Sequence, residues 1–222
     1  MNTQLESMHA PKPFFLYLRL VATVMAMGVG LRLSAANGEP PALAALFNGQ
    51  DFSGWVVPNP NLNWRVESGL LVGESEETLS GSLLWTEKVY GDFVLELEGR
   101  FSGAEIDTGV RIRFAPSLEM QIGVSRSLKV DMTGSILTDG FGHPTRYPES
   151  GRARNWSEHY RPGEWNTFRI EARGSTFTVW INGHRVSQYT DERHAQPSRI
   201  GLQFHDALKM KLEFRNIRLA EL

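Results

Sequence analysis

Two neighbouring stretches of the chain combine long polar side chains with an alternating apolar pattern. They read Asp107-Thr-Gly-Val-Arg-Ile-Arg113 and Leu118-Glu-Met-Gln-Ile122. On a β-strand, side chains two residues apart lie on the same face, so each stretch is predicted to bury one apolar row and to present one polar row. Carboxylate, amide and guanidinium groups on one face predict a ligand groove, and the alternative is a solvated face with incidental ion pairs. The polar set consists of Arg111, Arg113, Glu119 and Gln121.

A third stretch adds a titratable group. Ile200-Gly-Leu-Gln-Phe-His205 places Gln203 and His205 two residues apart, and hence on one face of a strand. Histidine changes its charge near neutral pH and serves in proton transfer. The alternative for His205 is a hydrogen-bonded histidine at a strand end, because its neighbours Leu202 and Phe204 are apolar.

The elements that must position these residues are predicted to be strands. Ser68-Gly69 marks a tight hairpin turn, and Asn182-Gly183 between alternating segments is a strong hairpin signal. Close to a dozen short strands at turn spacing predict an all-β sandwich or jelly roll. Between Thr138 and Pro162 no strand pattern is found, and a loop of this length is either a functional lid or a mobile segment.

Composition excludes several classes of function. A formal net charge of -2 in 222 residues, with both signs interspersed, gives no reason to expect a nucleic acid or an anionic membrane surface as partner. The chain has no cysteine, which excludes disulfides, thiolate metal sites, cysteine nucleophiles and an acylated lipoprotein anchor.

The N-terminal region has the pattern of a signal peptide. Lys12 and Arg19 supply positive charge, the run 20–31 is uncharged and largely apolar, and Ser34-Ala-Ala36 offers small residues for cleavage. This run is shorter than the roughly 20 residues of a membrane-spanning helix. We therefore expect a signal peptide at 1–36, a linker at 37–45, a domain at 46–222, and export to the periplasm or the extracellular space. Arg32 lies between the apolar run and the cleavage site, which is unusual for a signal peptide, so an uncleaved membrane anchor is the alternative.

The order and spacing of several motifs resemble one known family. The chain is similar to the exported bacterial 3-keto-disaccharide hydrolases, also described as 3-keto-alpha-glucoside-1,2-lyases and 3-keto-2-hydroxy-glucal hydratases. The resemblance covers about residues 43–222 and implies a concanavalin A-like jelly roll with sugar bound on its concave sheet. The motifs that carry it include Leu46-Phe-Asn-Gly-Gln-Asp-Phe-Ser-Gly-Trp55, Thr108-Gly-Val-Arg-Ile-Arg113, Glu119-Met-Gln121, Pro162-Gly-Glu-Trp-Asn166 and Ile200-Gly-Leu-Gln-Phe-His205.

The resemblance implies cleavage of 3-keto-glycosides. The ketone acidifies the proton on the adjacent carbon, a base removes that proton, and the anomeric substituent leaves. Glu119 or His205 would be the base, and Arg113 would stabilise the enolate. The cofactor stays open, a divalent cation held partly by Glu119 being one candidate. The expected substrate-binding residues are Gln121, Gln203, Arg111, Asp131, His143 and Trp156. The expected partners are a sugar or glycoside substrate and an upstream sugar 3-dehydrogenase that makes the ketone.

The chain also departs from the family pattern. Asp107-Thr-Gly109 replaces the usual Asn-Ser-Gly, Gly123-Val-Ser125 lacks an acidic residue, and Asp206-Ala-Leu-Lys209 replaces a short glycine-containing turn. A non-catalytic carbohydrate-binding or adhesion module on the same fold is the alternative function. A retaining glucanase is disfavoured, because such enzymes need two close carboxylates and the strand of Glu119 carries one.

Overall fold

The computed structural model describes residues 42–75, 80–114, 117–138 and 147–222. In these ranges the chain forms two antiparallel β-sheets that share one hydrophobic core, and the predicted all-β jelly-roll sandwich is confirmed. No helix within them has the length and apolar character needed to cross a bilayer. The predicted signal peptide at 1–36, the first part of the linker and His143 lie outside the described residues.

One sheet has eight described strands in the order β13-β12-β11-β6-β15-β4-β3, with β1 paired to β15. It brings together strands that are far apart in the sequence, since β6 lies between β11 and β15. Its strands are β1 Ala44–Ala45, β3 Trp64–Glu67, β4 Leu70–Glu74, β6 Phe93–Gly103, β11 Asn166–Arg173, β12 Thr176–Ile181, β13 His184–Thr190 and β15 Met210–Glu221.

The other sheet has seven described strands in the order β10-β8-β7-β14-β5-β2, with β9 paired to β8. The polar stretches of the sequence fall on three adjacent strands near its middle, namely β8, β7 and β14. Its strands are β2 Trp55–Val56, β5 Ser82–Thr86, β7 Asp107–Arg113, β8 Leu118–Ser125, β9 Val130–Asp131, β10 Ile136–Thr138 and β14 Gly201–Phe204.

The core lies between the inner faces of the two sheets, which the alternating apolar residues supply. From the seven-stranded sheet these are Val110, Ile112, Leu118, Met120, Ile122, Leu202 and Phe204, and from the eight-stranded sheet they include Phe93, Leu95, Leu97, Phe168, Ile170, Phe177 and Phe214. Their burial directs the alternate residues of β7, β8 and β14 to the outer face.

The hairpin turns form where glycine and asparagine predict them. Ser68 and Gly69 join β3 to β4 with φ of 52° and 79°, and Asn182 and Gly183 join β12 to β13 with φ of 49° and 83°. Two successive residues with positive φ make the turn whose twist matches the twist of the flanking strands. Both predicted hairpins are confirmed.

The region between β10 and β11 contains two short 3-10 turns, Glu149–Gly151 and Trp156–Glu158. The side chain of Trp156 is half-buried against the core, with its ring 6.1 Å from that of Tyr160. Burial raises the pKa of Tyr160 to about 12. This part of the long loop is therefore anchored to the sandwich.

The outer face of the eight-stranded sheet is occupied by ion pairs. Glu98 accepts from Arg215 and Asn216, and Glu213 accepts from Arg100 through two hydrogen bonds. Glu98 is paired on this outer face, away from the polar strands of the other sheet.

A β-bulge at the end of β7 interrupts the two-residue alternation. Arg111 pairs with Glu119, but the next paired residue, Arg113, lies opposite Leu118. Ile112 and Arg113 are both buried as a result, and Phe114 returns to the exposed side. The prediction that Arg111 and Arg113 share one face is wrong, because a bulge shifts all later side chains to the opposite face.

Arg113 closes one end of the sandwich. The residue is 2% exposed, and its guanidinium donates to the carbonyls of His194, Ile112 and Gly91. It also lies over the rings of Phe93 and Phe177, at 5.6 and 5.2 Å from their centroids. Burial lowers the pKa of the guanidinium, while Asp92 acts in the opposite direction. These contacts join both sheets to the loop before β14.

We expect Arg113→Ala to lower the free energy of unfolding by about 2–4 kcal/mol, because it leaves three carbonyls without their charged donor. Urea denaturation followed by tryptophan fluorescence measures the change. Exposed Arg185 provides the control, and Arg185→Ala should stay within about 0.5 kcal/mol of the parent chain. An Arg113→Ala variant as stable as the parent chain would contradict a structural role.

Candidate functional site

The outer face of the seven-stranded sheet carries the polar residues in three rows that run across the strands. The first row contains Glu119, Arg111 and Gly201; the second contains Gln121, Gly109 and Gln203; the third contains Gly123 and Asp107, with His205 directly after β14. Paired residues of neighbouring strands point to the same face, and successive rows are about 7 Å apart. We call this set of side chains the polar site.

Gly109 provides the space at the middle of the polar site. A Cβ atom at this position would lie 2.1 Å from Oε1 of Glu119, so the carboxylate occupies the volume that any other residue would fill. The absence of a side chain on β7 thus lets Glu119 of β8 reach across to Gln203 of β14.

An ion pair forms the first part of the polar site. Nε of Arg111 lies 2.7 Å from Oε2 of Glu119, and the two side chains are 18% and 6% exposed. The Gln203 amide, oriented to satisfy its neighbours, donates to Oε1 of Glu119 at 2.9 Å and accepts from Arg111 at 3.1 Å. Arg111 also contacts the hydroxyl of Ser117. The network fixes the guanidinium and the carboxylate in one arrangement.

Asp107 and His205 form the second part of the polar site. Oδ1 of Asp107 accepts from the Gln121 amide at 2.7 Å, and Oδ2 accepts from the backbone N–H of Arg126 at 3.0 Å. Nε2 of His205 lies 3.7 Å from the same Oδ2. Gln121 therefore holds the carboxylate that faces the imidazole.

The second nitrogen of the His205 ring faces Asp206. Nδ1 of His205 lies 2.8 Å from Oδ1 of Asp206 and 3.1 Å from its carbonyl oxygen. Two acceptors at Nδ1 favour a proton on that nitrogen, which leaves the lone pair of Nε2 directed toward the polar site. The side chain of His205 is 27% exposed and can be reached from solvent.

Hydroxyl groups line one edge of the polar site. Ser125, at the end of β8, lies 3.3 Å from the phenol oxygen of Tyr147, which also contacts the hydroxyl of Ser127. Thr138 of β10 contributes to the same lining. Hydroxyls at this position can exchange hydrogen bonds with a polar ligand.

Some predicted site residues come together and others do not. The structure brings Glu119, His205, Gln121, Gln203 and Arg111 into the polar site. The predicted convergence of Arg113 with Glu119 and His205 is wrong, because the bulge turns Arg113 away from this face.

Two other predicted binding residues have structural contacts. Oδ1 of Asp131 accepts from the backbone N–H and the hydroxyl of Thr133, and that hydroxyl accepts from the backbone N–H of Gly123 in the third row. Asp131 therefore braces the strand beneath the polar site. Trp156, proposed to stack on a sugar, packs instead against Tyr160 and the core.

Asp107 is the main residue that the sequence reasoning missed. In the sequence, Asp107 is a departure from the family pattern and is not among the predicted site residues. A signal was present, since Asp107, Gly109 and Arg111 alternate on one strand face. No sequence pattern predicts that Tyr147 lies at the site, because it belongs to a loop that is distant in sequence from Ser125.

Glu119 was a candidate ligand for a divalent cation, but its surroundings in the polar site do not fit that role. Oε2 of Glu119 faces Arg111 and Oε1 faces Gln203, so both oxygens are directed at hydrogen-bond donors. Within the described ranges, no three histidine or acidic side chains are arranged to hold a metal ion together.

This protein is a two-sheet jelly roll, and its polar site lies on the outer face of one sheet. Its fold is similar to a Parabacteroides distasonis protein named only provisionally as a glycosyl hydrolase, with a TM-score of 0.58 and 21% identity over 81% of this chain and 94% of that chain. The kappa-carrageenase of Pseudoalteromonas carrageenovora has a TM-score of 0.55 and 9% identity, over 85% of this chain and 97% of that chain. A galectin-like protein of Bacillus subtilis has a TM-score of 0.54 and 10% identity, over 82% and 97%.

Comparison of the sequence with protein-family models identifies the family. Residues 43–220 match the model of the 3-keto-alpha-glucoside-1,2-lyase-like domain, and the chain belongs to that family. The comparison with curated proteins finds no match. The family resemblance expected from the motifs is confirmed.

We expect the Arg111–Glu119 pair to behave as a coupled unit. Arg111→Met or Glu119→Leu alone should lower the free energy of unfolding by about 3–5 kcal/mol, because each leaves a buried charge without its partner. The double variant should be destabilised by less than the sum of the two single variants. Urea denaturation of all four chains measures the coupling. Strictly additive effects would contradict the ion pair.

Proposed function

We propose that this protein cleaves glycosides that carry a ketone at carbon 3 of the sugar, by elimination at the anomeric carbon. The observation that carries the proposal is that an accessible imidazole, His205, and the guanidinium of Arg111 line one pocket on the outer sheet face. Membership in the 3-keto-alpha-glucoside-1,2-lyase-like family supports the same chemistry.

The reaction requires one base, one cationic or hydrogen-bonding group and one acid. The base removes the proton from carbon 2, and the electron pair of that C–H bond forms the enolate of the 3-ketone. The enolate then collapses, the C1=C2 double bond forms, the ketone is restored, and the C1–O bond breaks with its electron pair on the leaving oxygen. A proton returned to that oxygen completes the release of the aglycone.

His205 fits the base better than Glu119. Both oxygens of Glu119 already face donors, Arg111 and the Gln203 amide, so neither is directed at a substrate proton. His205 is accessible, its Nδ1 is oriented by Asp206, and its Nε2 faces the polar site. After proton uptake the imidazolium lies beside the Asp107 carboxylate, which stabilises the positive charge.

Arg111 takes the role predicted for Arg113, that of stabilising the enolate. Its guanidinium lies on the site face, where Glu119 and Ser117 orient it, and its remaining N–H groups can donate to an enolate oxygen. Gln121, Gln203 and the hydroxyls of the site edge would bind sugar hydroxyls. Glu119 acts in this proposal as a positioning residue for Arg111.

The ketone must be made before this protein acts. Glycosides ordinarily carry a hydroxyl at carbon 3, so an oxidation that removes two hydrogens at that carbon must supply the substrate. The expected upstream sugar 3-dehydrogenase would perform that step.

Direct hydrolysis by two carboxylates fits the polar site less well. A retaining glycosidase needs one carboxylate free to attack the anomeric carbon and a second one to act as acid and base. Asp107 and Glu119 belong to different rows of the polar site. Each carboxylate is also held by its own amide, Gln121 for Asp107 and Gln203 for Glu119.

The test of activity compares nitrophenyl 3-keto-glucoside with the unoxidised nitrophenyl glucoside. We expect nitrophenol release from the keto sugar only, because only that sugar has the acidified C2 proton. His205→Ala should lower kcat by about 10²- to 10⁴-fold, the usual contribution of a general base. Arg111→Ala should also lower kcat.

Controls separate site effects from loss of folding. His184→Ala removes an exposed histidine at the β12–β13 hairpin and should leave the rate unchanged. Each variant is checked by its thermal transition. If neither sugar is cleaved while glycans bind, the protein is a non-catalytic carbohydrate-binding module, and the elimination proposal is wrong.

We also propose that the protein is exported after cleavage behind Ala36. The support is the charged start, the apolar run and the small residues of the N-terminal sequence. Expression of the full chain in a bacterium with a periplasm should yield a mature protein that begins at Asn37, as measured by intact mass. Charged Arg and Glu residues placed within the run 20–31 should retain the uncleaved chain in the cytoplasm. An intact N-terminus on a membrane-bound protein would support the anchor instead.

A further inference from the structure

A second hollow lies beside the polar site on the same side of the seven-stranded sheet. It has a volume of about 390 Å³ and an apolar lining that includes Trp85, Val89, Phe114 and Pro197. We call it the aromatic hollow. It is larger than the space between the groups of the polar site.

Strand register places the aromatic hollow next to the polar site. Trp85 of β5 is paired with Gly201 of β14, which in turn is paired with Arg111 of β7, so these residues belong to the first row. A Cβ atom at Gly201 would lie 2.6 Å from the Trp85 ring, which shows that the indole lies on the glycine. The indole therefore extends from its own strand toward Arg111.

Phe114 forms the other aromatic side of the hollow. Its ring centroid is 5.1 Å from that of Trp85, with the planes at 79°, and the residue is 62% exposed. An exposed ring next to a second ring and to apolar neighbours forms a contiguous apolar surface, which is the kind of surface that binds ligands. The β-bulge that turns Arg113 inward also directs Phe114 outward, so one backbone feature creates this pair of rings.

The charge of the aromatic hollow is positive. Its described lining contains Arg113, Arg193 and Arg199 and no carboxylate. Arg193 is neutralised by Asp191, and Arg113 donates to backbone carbonyls only. Arg199 is exposed, and no ion pair joins it to any other described residue.

We propose that the aromatic hollow is the aglycone subsite, and that it takes an aryl group with an anionic substituent, such as a carboxyphenyl group. This inference rests on the proposed function, because the polar site must hold the sugar whose aglycone enters the hollow. Trp85 and Phe114 contact the faces and edges of the aryl ring. Arg199 pairs with its anionic substituent at the rim.

The test measures binding rather than turnover, so that its outcome is independent of the elimination reaction. Methyl, phenyl and 4-carboxyphenyl α-glucosides lack the ketone, and their affinities are measured by isothermal titration calorimetry. Phenyl should bind about tenfold more tightly than methyl, since an aromatic contact of ordinary strength corresponds to that factor. The carboxylate should add a further increase that declines with added salt.

Two variants divide these contributions. Phe114→Ala should remove most of the difference between phenyl and methyl, and Arg199→Ala should remove the difference between carboxyphenyl and phenyl. Both side chains are exposed, so folding should be preserved. The matched controls are Leu62→Ala, an exposed apolar residue outside the hollow, and Arg185→Ala, an exposed arginine on β13.

The results distinguish the two proposals. Equal affinities for the three glucosides, or no binding of any of them at millimolar concentration, would overturn the aryl subsite. Cleavage of the keto sugar would still support the proposed reaction in that case. Discrimination among the three that survives both Phe114→Ala and Arg199→Ala would also overturn the proposal, because it would place the aglycone elsewhere.

Discussion

The register between β7 and β8 is the constraint on which the polar site depends. On the inner side, Val110 and Met120 pair within the core, and on the outer side Arg111 pairs with Glu119. A slip of one residue would move every apolar side chain of a strand to solvent and every polar one into the core. The hydrophobic effect and the ion pair therefore select the same register. Gly109 is compatible with that register because it leaves room for the Glu119 carboxylate.

The same register explains how the sheet holds the polar groups of the site together. Residues with no side chain, Gly109 and Gly201, lie between residues with long side chains, so carboxylate, guanidinium and indole groups lie flat over the strands. Residues on a central strand are hydrogen-bonded through their backbone to the strands on both sides, which makes them more rigid than loop residues. His205 is the exception, since it follows β14 and is oriented by Asp206 and Asp107.

Much of the fold was predictable because it follows local rules. The Asn182-Gly183 turn and the alternation of β7, β8 and β14 are written in residue types that favour one backbone conformation or one face. The position of the bulge was not predictable. It accompanies tertiary contacts: the buried guanidinium of Arg113 donates to the carbonyls of His194 and Gly91, which lie on other segments of the chain. A pattern read along one strand contains no information about those partners.

The site was predictable to the extent that it follows the strand alternation before the bulge. Glu119, Gln121 and Arg111 belong to the regular part of the β7–β8 pairing, on the near side of the bulge, and lie where the alternation predicts. Arg113 and Phe114 follow it, and their roles are exchanged: the arginine becomes a core residue and the phenylalanine becomes exposed. Trp156 differs for another reason, since a half-buried loop can satisfy an aromatic residue through packing alone.

The pairing of charges within the polar site bears on the kind of reaction it can support. A nucleophilic carboxylate must be free to attack, whereas Glu119 is held by Arg111 and Gln203 in a nearly buried position. An elimination makes a different demand, since it needs an accessible base and a fixed cation beside the developing enolate. The fixed guanidinium requires no reorganisation when that charge appears. The ion pair that would hinder a glycosidase is therefore the arrangement that an elimination can use.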